Sequence, residues 1–256
     1  MIENSEIVVD LRIAVSNDSR INEWFVPRFG PMKFRIFAGL LFLPYTGMCV
    51  SFAVIGSMLA PTILWDRVGG IALIYFLALG VAAHAIDSVG SKKIKPWASY
   101  FSRKQLWTLS LCTLIPAYAI GIYYIVLYVP LLSIVAIAEG FFVFAYNLEL
   151  FGGRFHTDEW FAFSWGVLPV MAGFIIQTNS VSLLALAFAV IMGFVSYAEI
   201  KTSRPYKELK RGNYEPTLSR DQVMMKINHY ERILKRLSIG TILFALVLLL
   251  WRSGVL

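Results

Sequence analysis

Residues 68–97 read VGGIALIYFLALGVAAHAIDSVGSKKIKPW. From Val68 to Val89 the stretch is apolar except near its end, and it is long enough to cross a hydrocarbon core of about 30 Å as a helix. Such a segment must satisfy its own backbone, so it predicts a transmembrane helix and a helical membrane fold. The run then closes on His84 and Asp87, three lysines and Pro96.

The rest of the chain agrees with that class. Of its 256 residues, 58% are hydrophobic and only 15% charged, too few polar groups to cover a soluble domain of this length. Cys49 and Cys112 both lie in apolar runs and suggest neither a disulfide framework nor a zinc site. Residues 1–33 mix charges of both signs and do not read as a signal peptide.

Further apolar runs cover about 36–60, 106–151, 160–177, 181–200 and 237–251. The first carries Pro44 and Gly47 and predicts a kink near its start. The 106–151 run is twice the length of one span and divides near residues 125–130, where Pro130 marks a turn. Seven spans are therefore expected, in an all-α polytopic bundle over residues 35–256 behind an N-terminal tail of residues 1–34. Within 205–236, Ser219 and Gln222 form a capping-box pattern ahead of Val223, Met224, Ile227, Tyr230 and Leu234 at helical spacing. This segment is read either as a cytoplasmic amphipathic helix or as a helix leading into the last span.

Alternate loops carry nearly all the cations. The tail through Arg35 holds five Lys/Arg, residues 90–106 five, residues 151–160 one and residues 200–236 ten, against Arg67 and Arg252 on the other side. The positive-inside rule then puts the N-terminus in the cytoplasm and the C-terminus outside. The expected location is a prokaryotic cell membrane. The net charge of +7 follows from topology and gives no reason to invoke nucleic acid.

Ionisable groups within spans are costly and mark candidate sites. His84, Asp87, Ser88 and Ser91 share one helical face, with Lys92, Lys93 and Lys95 just beyond. Glu139 falls near mid-membrane, with Tyr146 and Asn147 about two turns on, Glu149 at the span end and Arg154, His156, Asp158 and Glu159 after it. Tyr197, Glu199, Lys201 and Arg204 close the sixth run. All three groups reach the cytoplasmic face. Carboxylates beside Lys and Arg suit an anion bound through a divalent cation, as in a diphosphate with an apolar tail. Each group also has a plainer reading. The lysines serve as orientation signals, Glu199 as a headgroup-facing residue, His84 and Asp87 as a hydrogen-bonded pair, and Glu139 as a cross-bundle bond.

The run AHAIDSVGSKKIKPWASYFSRKQLW, residues 83–107, resembles the first signature region of the UbiA superfamily of intramembrane prenyltransferases. Asp87 matches that family's middle aspartate, Lys95-Pro96 its Arg-Pro and Ser102-Arg103 its later small-plus-basic cluster. Residues 146–178, YNLELFGGRFHTDEWFAFSWGVLPVMAGFIIQT, resemble its region between the fourth and fifth helices, including Gly166, Pro169 and Gly173. Glu199 corresponds in place to the second aspartate-rich motif. Ala83, His84 and Ser91 stand where the family has Asn, Asp and Asp, and the family typically has nine spans.

The resemblance implies binding of an isoprenyl diphosphate with Mg²⁺ and prenyl transfer to an acceptor that the sequence leaves open. It casts Asp87 and His84 as catalytic, Asp87 and Glu199 as metal ligands, and Lys92, Lys95, Arg103, Arg154 and Arg204 as phosphate contacts. Glu139, Tyr146 and Asn147 remain as further intramembrane polar groups. The rival expectation is a non-catalytic protein of the same fold that binds a lipid or a membrane partner.

Overall fold

The computed structural model describes residues 21–90 and 100–256. Ser91, Lys92, Lys93 and Lys95 lie outside the described residues, as does most of the tail. Among the described residues all regular structure is helical. In chain order the helices are α1 (Met32–Leu40), α2 (Leu43–Met58), α3 (Trp65–Gly90), α4 (Arg103–Leu127), α5 (Leu132–Ala145), α6 (Asp158–Thr178), α7 (Leu183–Lys210) and α8 (Arg220–Arg252). Helices α3, α4, α6, α7 and α8 are long and apolar enough to cross a membrane. The α1–α2 pair, bent by 41°, adds a sixth if it counts as one span. Their outer faces are lined by exposed apolar side chains such as Ile115, Val126, Phe194 and Leu243, which suits hydrocarbon and not water. The chain is a polytopic helical membrane protein.

The expected seven spans become five, or six with the bent pair. Helix α5 has 14 residues, about 21 Å at 1.5 Å per residue, which falls short of the hydrocarbon thickness. The helical turns give way beyond Ala145, and Glu149, Phe151, Gly152 and Gly153 all adopt positive φ. The expected kink is present. Phe42 takes a left-handed φ of 47°, and α2 restarts with Pro44 in its first turn, where a missing N–H costs nothing.

Helices α2 and α6 form the tightest crossing. A Cβ on Gly56 would lie 2.0 Å from the Val170 carbonyl oxygen, and one on Gly173 would lie 1.9 Å from that of Ala53. Small residues allow this backbone approach, as they do at helix interfaces within membranes. Ser57 Oγ donates to the Gly173 carbonyl across the crossing at 3.0 Å.

At the end opposite the Lys/Arg-rich segments, polar groups tie the turns together. The Gln177 amide both accepts from Leu64 N–H (2.8 Å) and donates to Leu64 C=O (3.2 Å). Arg67 donates to the Ile176 carbonyl at 2.9 Å, and Arg252 to the Ala60 and Pro61 carbonyls. Asn179 Oδ1 accepts from Leu131 N–H at 3.0 Å, pinning the α4–α5 turn marked by Pro130.

At the basic end the structure decides between the two readings of the 205–236 segment, in favour of a helix leading into the last span. The 205–236 segment is not a separate helix: α7 continues through Pro205 to Lys210, and Arg220 opens the 33-residue helix that becomes the last span. Its Val223, Ile227 and Leu234 pack against Tyr45 and Tyr206, so its apolar face is spent on the bundle. The predicted capping box is formed, with Ser219 Oγ accepting from Gln222 N–H at 3.2 Å and Gln222 Oε1 from Ser219 N–H at 2.9 Å. Replacing Ser219 with Ala is expected to cost about 1 kcal/mol. In a thermal melt of the detergent-solubilised protein this reads as a Tm lower by roughly 2–4 °C.

Part of the N-terminal segment joins the bundle. Residues 21–26 are packed in, with Ile21, Phe25 and Val26 buried and Trp24 and Phe25 against Phe42 and Tyr45. Glu23 is only 5% exposed and accepts from the Tyr206 hydroxyl at 2.5 Å.

Candidate functional site

Two of the long helices widen at the same level. In α3 the segment Phe76–Ala83 is π-helical, and His84 follows it directly. In α6 the segment Phe163–Val167 is π-helical and contains Trp165. A π turn inserts one residue per turn and re-aims the side chains after it, and such turns gather at functional sites. Close packing accompanies both. Thr46 presses on Gly80, where a Cβ would meet its methyl at 2.4 Å, and Gly166 lies against the α7 backbone at Met192 and Gly193.

The re-aimed rings join a continuous aromatic wall. Phe42 stacks on His84 (centroids 5.4 Å, planes 28° apart), His84 meets Trp165 at 5.4 Å, and Trp165 stacks on Phe161 at 5.3 Å and 12°. Phe161 then contacts Tyr146 (5.7 Å), which packs on His156 at 4.5 Å. His156 Nδ1 lies 3.0 Å from the Tyr146 carbonyl oxygen, tying the α5–α6 turn to the wall.

This wall bounds a cavity of about 530 Å³ that opens at the basic end. Its polar lining comes mainly from two helices and one turn: His84, Asp87 and Ser88 on α3, Glu199, Arg204, Lys207 and Glu208 on α7, Asn147 and Glu149 after α5, and Arg211 at the end of α7. The volume falls within the range of small-molecule sites. Glu149 holds its place at φ 50°, a conformation costly for a residue with a Cβ and characteristic of functional positions.

Two of the lining residues carry a buried polar atom without a hydrogen-bond partner among the described residues, His84 Nε2 and Glu199 Oε2. Buried polar groups are ordinarily satisfied, so two such atoms on lining residues mark the cavity as a candidate ligand site. Arg204 is positioned by Asp158, whose carboxylate bridges Arg204 Nε (2.7 Å) and Lys201 Nζ (2.9 Å). Lys207 lies over the Phe42 ring, with Nζ 5.5 Å from its centroid.

The structure therefore gathers His84, Asp87, Glu199, Arg204, Tyr146 and Asn147 into one site. Arg103 and Arg154 do not line it: Arg103 opens α4, and Arg154 follows the turn at Phe151–Gly153. The proposed contacts Lys92 and Lys95 are outside the described residues. Glu139 lines a different cavity, where it accepts from Tyr75 Oη at 2.8 Å across the bundle.

Reading the sequence alone missed Lys207, Glu208 and Arg211, because the polar run after residue 200 was taken as the end of a span. The signal was there. Glu199, Ser203, Lys207 and Arg211 recur every four residues, a single helical face that continues past the membrane boundary.

Among the described residues no three His, Cys, Asp or Glu side chains converge to form a metal cage. Asp87 and Glu199 line the same cavity, and two carboxylates are the set that Mg²⁺ uses when substrate phosphates and water supply its remaining ligands. The chain matches no protein-family model, no curated protein and no solved structure.

Proposed function

We propose that this protein binds an isoprenyl diphosphate in the aromatic-walled cavity and acts as a divergent relative of the UbiA-type intramembrane prenyltransferases. The observation that carries this reading is the composition of that one cavity. Carboxylates (Asp87, Glu199), cations (Arg204, Lys207, Arg211) and a wall of aromatic rings meet at the basic end of an apolar bundle. By the positive-inside rule that end is cytoplasmic, where soluble diphosphates are found, and the neighbouring hydrocarbon takes the isoprenoid tail.

Charge balance bears on how the head is held. The described lining has four carboxylates (Asp87, Glu149, Glu199, Glu208) against three Lys/Arg side chains. A diphosphate entering such a site calls for a divalent cation, which Asp87 and Glu199 would hold. Bound there, Mg²⁺ offsets the charge of the leaving diphosphate. Arg204 and Lys207 would bind phosphate oxygens directly. The faces of Phe42 and Trp165 suit the allylic cation left when the C–O bond breaks. The acceptor attacks that carbon and loses its proton, and its identity is open.

The absence of a third metal-ligating side chain among the described residues favours the second reading, a non-catalytic protein of this fold that binds the same lipid or a membrane partner. One experiment addresses both. With farnesyl or geranylgeranyl diphosphate and Mg²⁺, the purified protein is expected to melt at higher temperature, and Asp87→Ala to abolish the shift. No shift at either chain length sinks the diphosphate site. A shift without product on a panel of acceptors supports the binding protein.

A further inference from the structure

A second cavity of about 540 Å³ lies between α3, α4 and α5 and is lined almost wholly by apolar atoms. Its lining includes five small residues, Ala78 on α3, Ala117 and Gly121 on α4, and Ala136 and Gly140 on α5. Glu139 lines it too. One carboxylate oxygen accepts from the Tyr75 hydroxyl at 2.8 Å, while the other, Oε2, is buried and has no hydrogen-bond partner. Gly140 lets a second phenol approach: a Cβ there would lie 2.1 Å from the Tyr118 hydroxyl oxygen.

An acceptor left unpaired at membrane depth is expensive, because no water is present to satisfy it. Tyr75 satisfies one oxygen of Glu139, and the cross-bundle bond by itself therefore does not account for the carboxyl group. The terminal torsion of a glutamate is soft, so the carboxyl can roll its second oxygen towards the cavity without breaking rotamer preferences. The volume matches a small-molecule site and is too small to take an α-helix, whose side-chain envelope is 10–12 Å across. The lining offers few polar groups, Glu139 with the hydroxyls of Tyr75, Tyr118 and Ser133, in an otherwise apolar cavity.

We propose that this cavity is a second ligand site, which takes a hydrophobic alcohol or phenol from the bilayer and pairs its single hydroxyl with Glu139. It is distinct from the aromatic-walled cavity, and its occupant carries no phosphate. The small residues make room for the molecule's body, and the carboxyl group selects for a hydrogen-bond donor over the acyl chains that surround the protein.

The test uses the full chain in lipid nanodiscs with two photoreactive probes, a diazirine-bearing hexadecanol and its methyl ether, which lacks the donor. Crosslinks mapped by mass spectrometry are expected on peptides of α4 and α5 facing the cavity. A single hydrogen bond should favour the alcohol over the ether by about fivefold. The ratio should fall to about one in Glu139→Leu and persist in Tyr75→Phe, where a competitor for the same carboxyl has been removed. A ratio of one in the wild type means that bulk lipid fills the cavity, and overturns the proposal. An unchanged ratio in folded Glu139→Leu also overturns it. If Glu139→Leu fails to fold, the wild-type ratio and Tyr75→Phe decide the matter.

Discussion

Substituting Gly173 with alanine is expected to lower the stability of this protein by several times the effect of an ordinary single-methyl change. The added Cβ would stand 1.9 Å from the Ala53 carbonyl oxygen and 2.8 Å from its carbon, both backbone atoms of α2 that cannot rotate away. Relief requires α2 and α6 to separate. That movement would lengthen the Ser57–Gly173 hydrogen bond and loosen the side chains packed along the crossing, including Phe52, Ile55 and Val170. Overpacking costs about 1–3 kcal/mol where side chains can adjust. Here the upper end applies, roughly 3 kcal/mol and a Tm lower by about 6–12 °C for a chain of this size. Gly56→Ala, which would face the Val170 carbonyl at 2.0 Å, should behave in the same way, whereas Gly240→Ala, with no heavy atom within 4 Å, should be neutral. A melt of Gly173→Ala indistinguishable from that of the wild type would show that the two backbones are not in contact.

Lys207→Gln is expected to weaken binding of an isoprenyl diphosphate by about tenfold to a hundredfold, the worth of one charge-assisted contact of 1.5–3 kcal/mol. Lys207 lines the aromatic-walled cavity and crosses the Phe42 ring, and glutamine keeps part of the aliphatic stem there while removing the charge. Arg204 is a less direct probe, since its pairing with Asp158 also joins α6 to α7 and its loss would disturb the turn. Arg103 supplies the control. It is a cation of the same basic end that lies outside the cavity lining, so Arg103→Gln, which removes no direct contact, should cost much less affinity at physiological salt, where exposed charges are screened. Equal losses in both variants would mean that the ligand senses the general basic surface and not this cavity. Titration with a fluorescent farnesyl diphosphate analogue measures both.

Much of the fold could be read from local pattern. Hydropathy places α3 and α6 to within a few residues, Pro44 marks the bend at Phe42, and Ser219 with Gln222 marks the start of α8. Each of these depends on residues within one or two turns of one another. Span number was harder to read, because hydropathy continues smoothly through Tyr146 while the backbone reverses at Glu149–Gly153, where four residues adopt positive φ. The end of α7 was misplaced for the opposite reason: the composition turns polar at Lys201 although the helix does not end there.

The sites divide along the same line. That His84, Asp87 and Glu199 are chemically unusual follows from their residue types within apolar runs, because burying an ionisable group needs a compensating partner. Which of the intramembrane groups share a chamber does not follow. Two π-helical turns direct His84 and Trp165 into one wall, and the continuation of α7 adds Lys207 and Arg211 to its rim. The fold also separates Glu139, placing it in an apolar cavity opposite Tyr75. By itself the sequence determined the membrane class, the helices and the expensive residues, since hydrophobic burial and capping act locally along the chain. Only the tertiary structure decided which of those residues meet, because that depends on the angles and closeness at which helices cross, set by small residues such as Gly56 and Gly173 that lie more than a hundred positions apart.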